Sequence, residues 1–123
     1  MICDFRVDDF LGKQFHMNNY NCWHLVREAW LVITGVDLGD LTPTPATNDN
    51  LKETFENEKS NFQKLESPQS PCIVLMERKN SIPHVGIYWK KRVLQIVPMG
   101  VEYQPLDIAT RGFRQASFYT CIP

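Results

Sequence analysis

Two side chains in this sequence have the types and positions to act as a nucleophile and a base. Cys22 opens a helical pattern and His84 opens a strand-like one. A cysteine at the first position of a helix lies near unpaired backbone N–H groups and the positive end of the helix dipole. Both favour the thiolate, the form that attacks. Position alone is equally compatible with a buried structural cysteine. A histidine facing it would supply the group that takes the thiol proton.

The segment around His84 adds a third group. If Lys90-Lys91 is a two-residue turn, antiparallel pairing sets Trp89 opposite Arg92, Gly86 opposite Gln95 and His84 opposite Val97. Alternation then sorts the hairpin into two faces. Val85, Ile87, Trp89, Leu94 and Ile96 form one that is wholly apolar. His84, Gly86, Tyr88, Val93, Gln95 and Val97 form the other. On that second face His84 and Gln95 are diagonal neighbours across a glycine that leaves the space between them open. Diagonal neighbours lie roughly 7–8 Å apart at the backbone, within reach of long side chains. The Gln95 carbonyl could accept the imidazole Nδ1–H and leave Nε2 for a thiol. This is the logic of nucleophile, base and orienting group. It depends on register, since a one-residue slip moves Gln95 to the other face.

The elements that must position these groups follow from periodicity. Cys22, Leu25, Val26, Ala29, Trp30 and Ile33 keep the spacing of one helix face, with Asn21 as N-cap and Gly35 as the C-terminal stop. His24, Arg27, Glu28 and Leu31 point elsewhere. Residues 36–50 read as an exposed loop rich in Asp, Thr, Pro and Asn. Leu51, Phe55, Phe62 and Leu65 suggest a second amphipathic helix, ended by Pro68 and Pro71. The polar stretch 36–67 is open to two roles, a mobile flap or a docking surface. Strands are expected at Cys72–Glu77, His84–Trp89, Arg92–Val97, Val101–Tyr103 and Ala116–Tyr119, with a helical turn over Leu106–Thr110. Helix first and antiparallel strands after predict an α+β fold in one domain spanning residues 1–123.

Bulk properties narrow the function classes. Thirteen basic against fourteen acidic residues give a formal net charge of -1, with Lys90, Lys91 and Arg92 the only tight basic cluster. That balance gives no electrostatic reason to expect nucleic acid or an anionic membrane as partner. Residues 1–10 lack the basic leader and apolar core of a secretory signal, and no apolar run approaches the ~20 residues that span a bilayer. Synthesis in the cytoplasm without membrane insertion is the expectation. The four cysteines, Cys3, Cys22, Cys72 and Cys121, form no C-x-x-C pair, so a zinc ribbon or a thioredoxin-type pair has little support. Cys72 and Cys121 are expected to be small buried hydrophobes. Cys3 is uninformative.

At the two chemistry-bearing positions the sequence resembles a known family. Asn21-Cys22-Trp23-His24-Leu25-Val26-Arg27 is similar to the D-C-x-G-L-V-r motif of the NlpC-type cell-wall cysteine peptidases. His84-Val85-Gly86-Ile87-Tyr88 resembles the H-V-G-I-Y motif around their histidine, and Gln95 falls where their third polar residue stands. Trp23 and the segment Val101-Glu102-Tyr103-Gln104-Pro105-Leu106 are similar to the branch found in phage and prophage tail tips. The resemblance runs from about Phe10 to Tyr119. It implies a papain-like α+β fold with the nucleophile helix packed on a central antiparallel sheet. It also implies cleavage of peptidoglycan stem peptides without metal or cofactor, by a protein associated with a virion tail and acting at the cell wall or periplasm.

Four departures bear on activity. Asn21 replaces the usual Asp and still serves as a cap. His24 replaces a usual Gly and adds bulk near the nucleophile. Phe15 stands where many members carry a Tyr whose hydroxyl assists the oxyanion site. Cys72 lies where a Gly-Asp pair often opens the strand. Losing one oxyanion donor can cost ~10²–10³ in rate. By the same resemblance Phe15, Trp23, His24 and Tyr88 are the oxyanion and cleft candidates. Two rivals to a peptidase remain: a structural or assembly domain contacting tail-tip proteins, and an acyl transferase using the same thiol and imidazole.

Overall fold

A computed structural model describes residues 5–16, 20–38, 62–78 and 83–121. Those residues form a mixed α+β structure, and among them are one six-stranded antiparallel sheet and one long helix. Helix α1, Cys22–Thr34, is followed by β1 Phe62–Leu65, β2 Cys72–Glu77, β3 His84–Trp89, β4 Arg92–Val97 and β5 Gly100–Pro105. A single turn of helix, α2 Leu106–Ala109, then leads into β6 Gln115–Cys121. The strand order is β1-β6-β2-β3-β4-β5. Strands β2 to β5 form a meander, and β6 returns across the sheet to fill the place between β1 and β2. No described helix is long and apolar enough to cross a membrane.

Helix α1 begins and ends as its sequence requires. The Asn21 side chain accepts hydrogen bonds from the Trp23 and His24 backbone N–H groups, and Gly35 closes the helix in the left-handed region at φ 81°. Leu25, Val26, Ala29 and Trp30 are buried, with Cys22 and Ile33 packed at the margin of the same core. Outward-facing Arg27 grips Asp37 through two hydrogen bonds of 2.7 and 3.0 Å, while Glu28 pairs with Lys13 at 3.1 Å.

The sheet separates two apolar layers. Facing α1 are Ile73, Leu75, Val85, Ile87, Leu94, Ile96 and Tyr119, joined by Phe5 and Phe10 from the N-terminal segment. The apolar hairpin face expected from alternation is therefore the one that meets the helix. On the other side Val74, Met76, Val93 and Ala109 form a smaller cluster with Tyr88, Leu106, Phe113, Ala116 and Phe118 around it. Strand β2 has both faces covered, which accounts for its unbroken apolar run from Cys72 to Met76.

The second helix is not what the chain forms at its later residues. Phe62–Leu65 is a strand, pairing Phe62 with Cys121 and Leu65 with Phe118. Pairing with β6 satisfies the backbone while Phe62 packs its ring against Trp23, 6.3 Å between centroids, an outcome that depends on residues distant in sequence. Leu51 and Phe55 lie outside the described residues, as do Cys3 and the loop from residue 39 to residue 50. Strands β5 and β6 each extend beyond their expected ends. Cys72 is fully buried as expected, and Cys121 is half-buried.

Candidate active site

The hairpin holding His84 adopts the register that a two-residue turn dictates: Trp89 pairs with Arg92, Tyr88 with Val93 and Ile87 with Leu94. Lys90 and Lys91 both have positive φ, 50° and 71°, the backbone of a type I′ turn. The ladder stops at Ile87 and Leu94, short of Gly86 and Val85. Gly86 lies where the two strands come closest. A Cβ there would fall 2.8 Å from Val93 Cγ1, 2.9 Å from the Leu94 carbonyl oxygen and 3.3 Å from Gln95 Cβ. The glycine does not leave open space between His84 and Gln95, as alternation suggested; it permits a close approach of β4.

The end of the ladder positions the thiol. In an antiparallel strand the N–H and C=O of one residue point to the same neighbour, and the next residue points to the other. Since Ile87 faces β4, Val85 also directs its N–H toward β4, beyond the last recorded pair. The Val85 backbone N–H instead acts on the Cys22 sulfur and pulls its pKa down, and the N–H groups at the start of α1 act in the same direction. The α1 N-terminus is thus seated against the start of β3, and the nucleophile candidate touches the residue that follows His84. Cys22 is largely buried and its thiol is free.

His84 and Gln95 meet through side chains, with Nε2 of His84 2.8 Å from Oε1 of Gln95. The ring nitrogen used is the reverse of the expected one. The reason lies one strand further on. Gln95 pairs with Glu102 across β4 and β5, and its Nε2 points at Glu102 Oε1, 3.5 Å away. A carboxylate only accepts, so it draws the amide NH2 to its side and turns Oε1 toward the histidine. Oε1 also only accepts, so Nε2 of His84 must carry the proton. Nδ1 is left with its lone pair free, as a base requires. Gln95 is buried, with only 4% of its surface exposed, and both ends of its amide are occupied.

The charge states differ from the thiolate that a helix N-terminus alone would favour. Burial pushes the Cys22 thiol up and outweighs the three N–H groups that pull it down. Burial also lowers the His84 imidazole; the Gln95 hydrogen bond pulls it back up, and the positive charge of Arg78 lowers it further. At rest, Cys22 is therefore a neutral thiol and His84 a neutral imidazole. Such a pair can react by passing the proton from sulfur to nitrogen during attack.

The cleft candidates separate on inspection. Trp23 is a core residue, 4% exposed, because β1 brings Phe62 against its ring. His24 serves the helix start: its Nδ1 accepts from the Asn21 backbone N–H at 3.0 Å, and its ring stacks on Tyr20. His24 therefore completes a capping box with Asn21. Tyr88 packs at the margin of the smaller apolar cluster, and Phe15 packs against the main core. Neither takes part in the Cys22–His84–Gln95 arrangement by any hydrogen bond among the described residues.

Three residues around the His84–Gln95 pair escaped sequence reasoning. Glu102 was within reach of it, because the two-residue connection Pro98-Met99 places Glu102 opposite Gln95 by the logic already applied to β3 and β4. Phe113, stacked on the His84 ring at 6.1 Å and 9°, comes from the turn after α2 and has no spacing signal. Arg78, whose guanidinium lies 4.3 Å over the Phe113 ring, follows the end of β2 and has none either. A concavity of about 500 Å³ along β1 and β6, lined by Lys64, Glu66 and Gln115 to Phe118, includes neither Cys22 nor His84 in its wall. Among the described residues no group of three or more His, Cys, Asp or Glu side chains could hold a metal ion. Comparison with family models, with curated proteins and with solved structures finds no match to this chain.

Proposed function

We propose that this chain is a cysteine endopeptidase with a papain-like, NlpC-type fold that hydrolyses peptide bonds of peptidoglycan stem peptides as part of a phage or prophage tail. The observation that carries the reading is the 2.8 Å contact between His84 Nε2 and Gln95 Oε1, beside which the backbone N–H of the next residue, Val85, acts on the Cys22 sulfur. The cell-wall substrate and the tail association rest on the motif resemblance at residues 21–27, 84–88 and 101–106 alone.

In this mechanism His84 Nδ1 takes the Cys22 proton as sulfur attacks the scissile carbonyl. The Cys22 backbone N–H, at the open end of α1, steadies the developing oxyanion. Collapse of the tetrahedral species breaks the C–N bond, and His84 returns the proton to the leaving amine. Water then attacks the thioester with His84 again as base, releasing the acid and restoring the thiol. Gln95, held by Glu102, keeps the imidazole in the required tautomer throughout.

The test is release of soluble peptides from purified peptidoglycan. Wild type should release them, and Cys22→Ala should fall to background; equal release by both proteins sinks the assignment. A second reading, a tail-tip assembly domain that keeps the fold without turnover, is favoured by the burial that holds the thiol neutral. It predicts that wild type and Cys22→Ala are alike in digestion and equally able to support tail assembly.

Alkylation at Cys22, localised by mass spectrometry and followed against pH, checks the resting state. The inflection should lie above the ordinary thiol value of ~8.5. An inflection well below it would mean a preformed thiolate–imidazolium pair.

A further inference from the structure

The groups stacked beside His84 form a feature that the thiol chemistry does not use. Phe113 lies nearly parallel to the imidazole, and Arg78 places its guanidinium 4.3 Å over the Phe113 ring. An arginine on an aromatic face gives up some side-chain freedom and keeps its N–H fork available at the edges. Arg78 is exposed and has no carboxylate partner among the described residues. Phe113 is braced from below by the apolar cluster of Val74, Met76, Val93 and Ala109. Its turn is tied to the end of β2 by the hydrogen bond from the Arg114 N–H to the Glu77 carbonyl, 2.7 Å. The guanidinium is therefore held at a set place near the imidazole and within electrostatic reach of it.

The nearby acids are otherwise engaged or distant in the sheet. Glu102 is directed at Gln95 from β5, three strands from β2, and Glu77 already has an interaction of its own. Arg111 and Arg114 flank Phe113 in the chain and are both exposed, so the turn adds to the positive character of this rim.

We propose that Arg78, held over Phe113, is an anion subsite that takes a carboxylate of the substrate two to three residues from the bond attacked by Cys22. The spacing follows from the contacts, 6.1 Å from the imidazole to the Phe113 ring and 4.3 Å from that ring to the guanidinium, since an extended peptide advances ~3.3 Å per residue. The subsite selects acidic peptides, and a fork-shaped donor matches a carboxylate in two parallel hydrogen bonds. This rests on the peptidase reading for the identity of the substrate and not for the existence of the subsite.

The test uses two synthetic stem peptides that differ only in whether the carboxyl two to three residues from the scissile bond is free or amidated. Wild type should prefer the free acid by about 10–100-fold in kcat/KM, the size of a charge-assisted hydrogen bond, with the difference residing in KM. Arg78→Gln should bring the two peptides within about twofold, Arg78→Lys should restore part of the preference, and high salt should weaken it in wild type. A preference that survives Arg78→Gln overturns the subsite, and so does the absence of any preference in wild type. If wild type cleaves neither peptide, the peptidase reading fails separately, and the subsite is then judged by binding of the two peptides to Cys22→Ala. Tighter binding of the acid that disappears in Cys22→Ala/Arg78→Gln supports it; equal binding overturns it.

Discussion

The chemistry proposed for this site turns on which nitrogen of His84 is basic, and that is decided two residues away. Glu102 orients the Gln95 amide, Gln95 accepts from Nε2, and Nδ1 is left as the acceptor. The Gln95 bond favours the protonated ring, because Nε2–H donates more strongly when the ring is charged. Gln95→Ala should therefore lower the His84 pKa further below its ordinary value, readable by NMR titration of the imidazole. An unchanged or raised value would show that Gln95 does not hold the ring. Cys22, His84 and Gln95 could be named from residue type and spacing, but the direction of the hydrogen bond could not. It required the fourth member, Glu102, and knowledge of which end of a symmetric-looking amide faces which neighbour.

At the scale of elements, the β3–β4 hairpin is the part most constrained by its own residues. Its turn places two lysines in the left-handed region, which costs an L-residue with a Cβ roughly 1–2 kcal/mol each. Lys91→Gly should relieve one of these while sparing the Lys90 contact over Trp89. A gain of ~1 kcal/mol, or a thermal midpoint higher by about 3–5 °C, is expected in a melting curve. Gly86→Ala tests the close approach further along the same hairpin. Val93 Cγ1 can move, but the Leu94 carbonyl is backbone, so the clash should destabilise by about 1–3 kcal/mol. It should also move β4, and with it the His84–Gln95 contact, which a shift in the imidazole signals would report. Melting and spectra like those of wild type would mean that the approach is loose. By contrast, β1 was misread as the end of a helix. Its four residues carry no decisive period, and its partners, β6 and Trp23, lie far away in sequence.

Across the whole molecule, the two buried titratable groups set a pH window for stability. The His84 pKa is depressed on folding, so its contribution is present above the unfolded value of ~6.5 and is lost as pH falls through the folded value. The Cys22 pKa is raised on folding, so its contribution is present below the unfolded value of ~8.5 and is lost as pH rises through the folded one. Cys72, pushed up to about 11 by burial, adds to the alkaline loss. Unfolding free energy from denaturant titration should therefore be highest between about pH 6.5 and 8.5. Cys22→Ala should flatten the alkaline side, and a variant still as steep as wild type there would place that loss elsewhere.

What the sequence determined by itself is local and periodic. Helix α1 with its Asn21 and Gly35 caps, the register of the hairpin about Lys90-Lys91, and the division of that hairpin into an apolar and a polar face all follow from spacings of two to four residues. They survive in the folded molecule because capping, turn geometry and side-chain alternation act over those same distances. The tertiary structure alone decided the insertion of β6 between β1 and β2, the burial of Trp23 and the stack of Arg78 and Phe113 on His84. It also decided the protonation of the thiol. A helix N-terminus favours thiolate wherever it occurs, but only the packing of α1 against β3 sets how much water the sulfur loses, and here desolvation prevails.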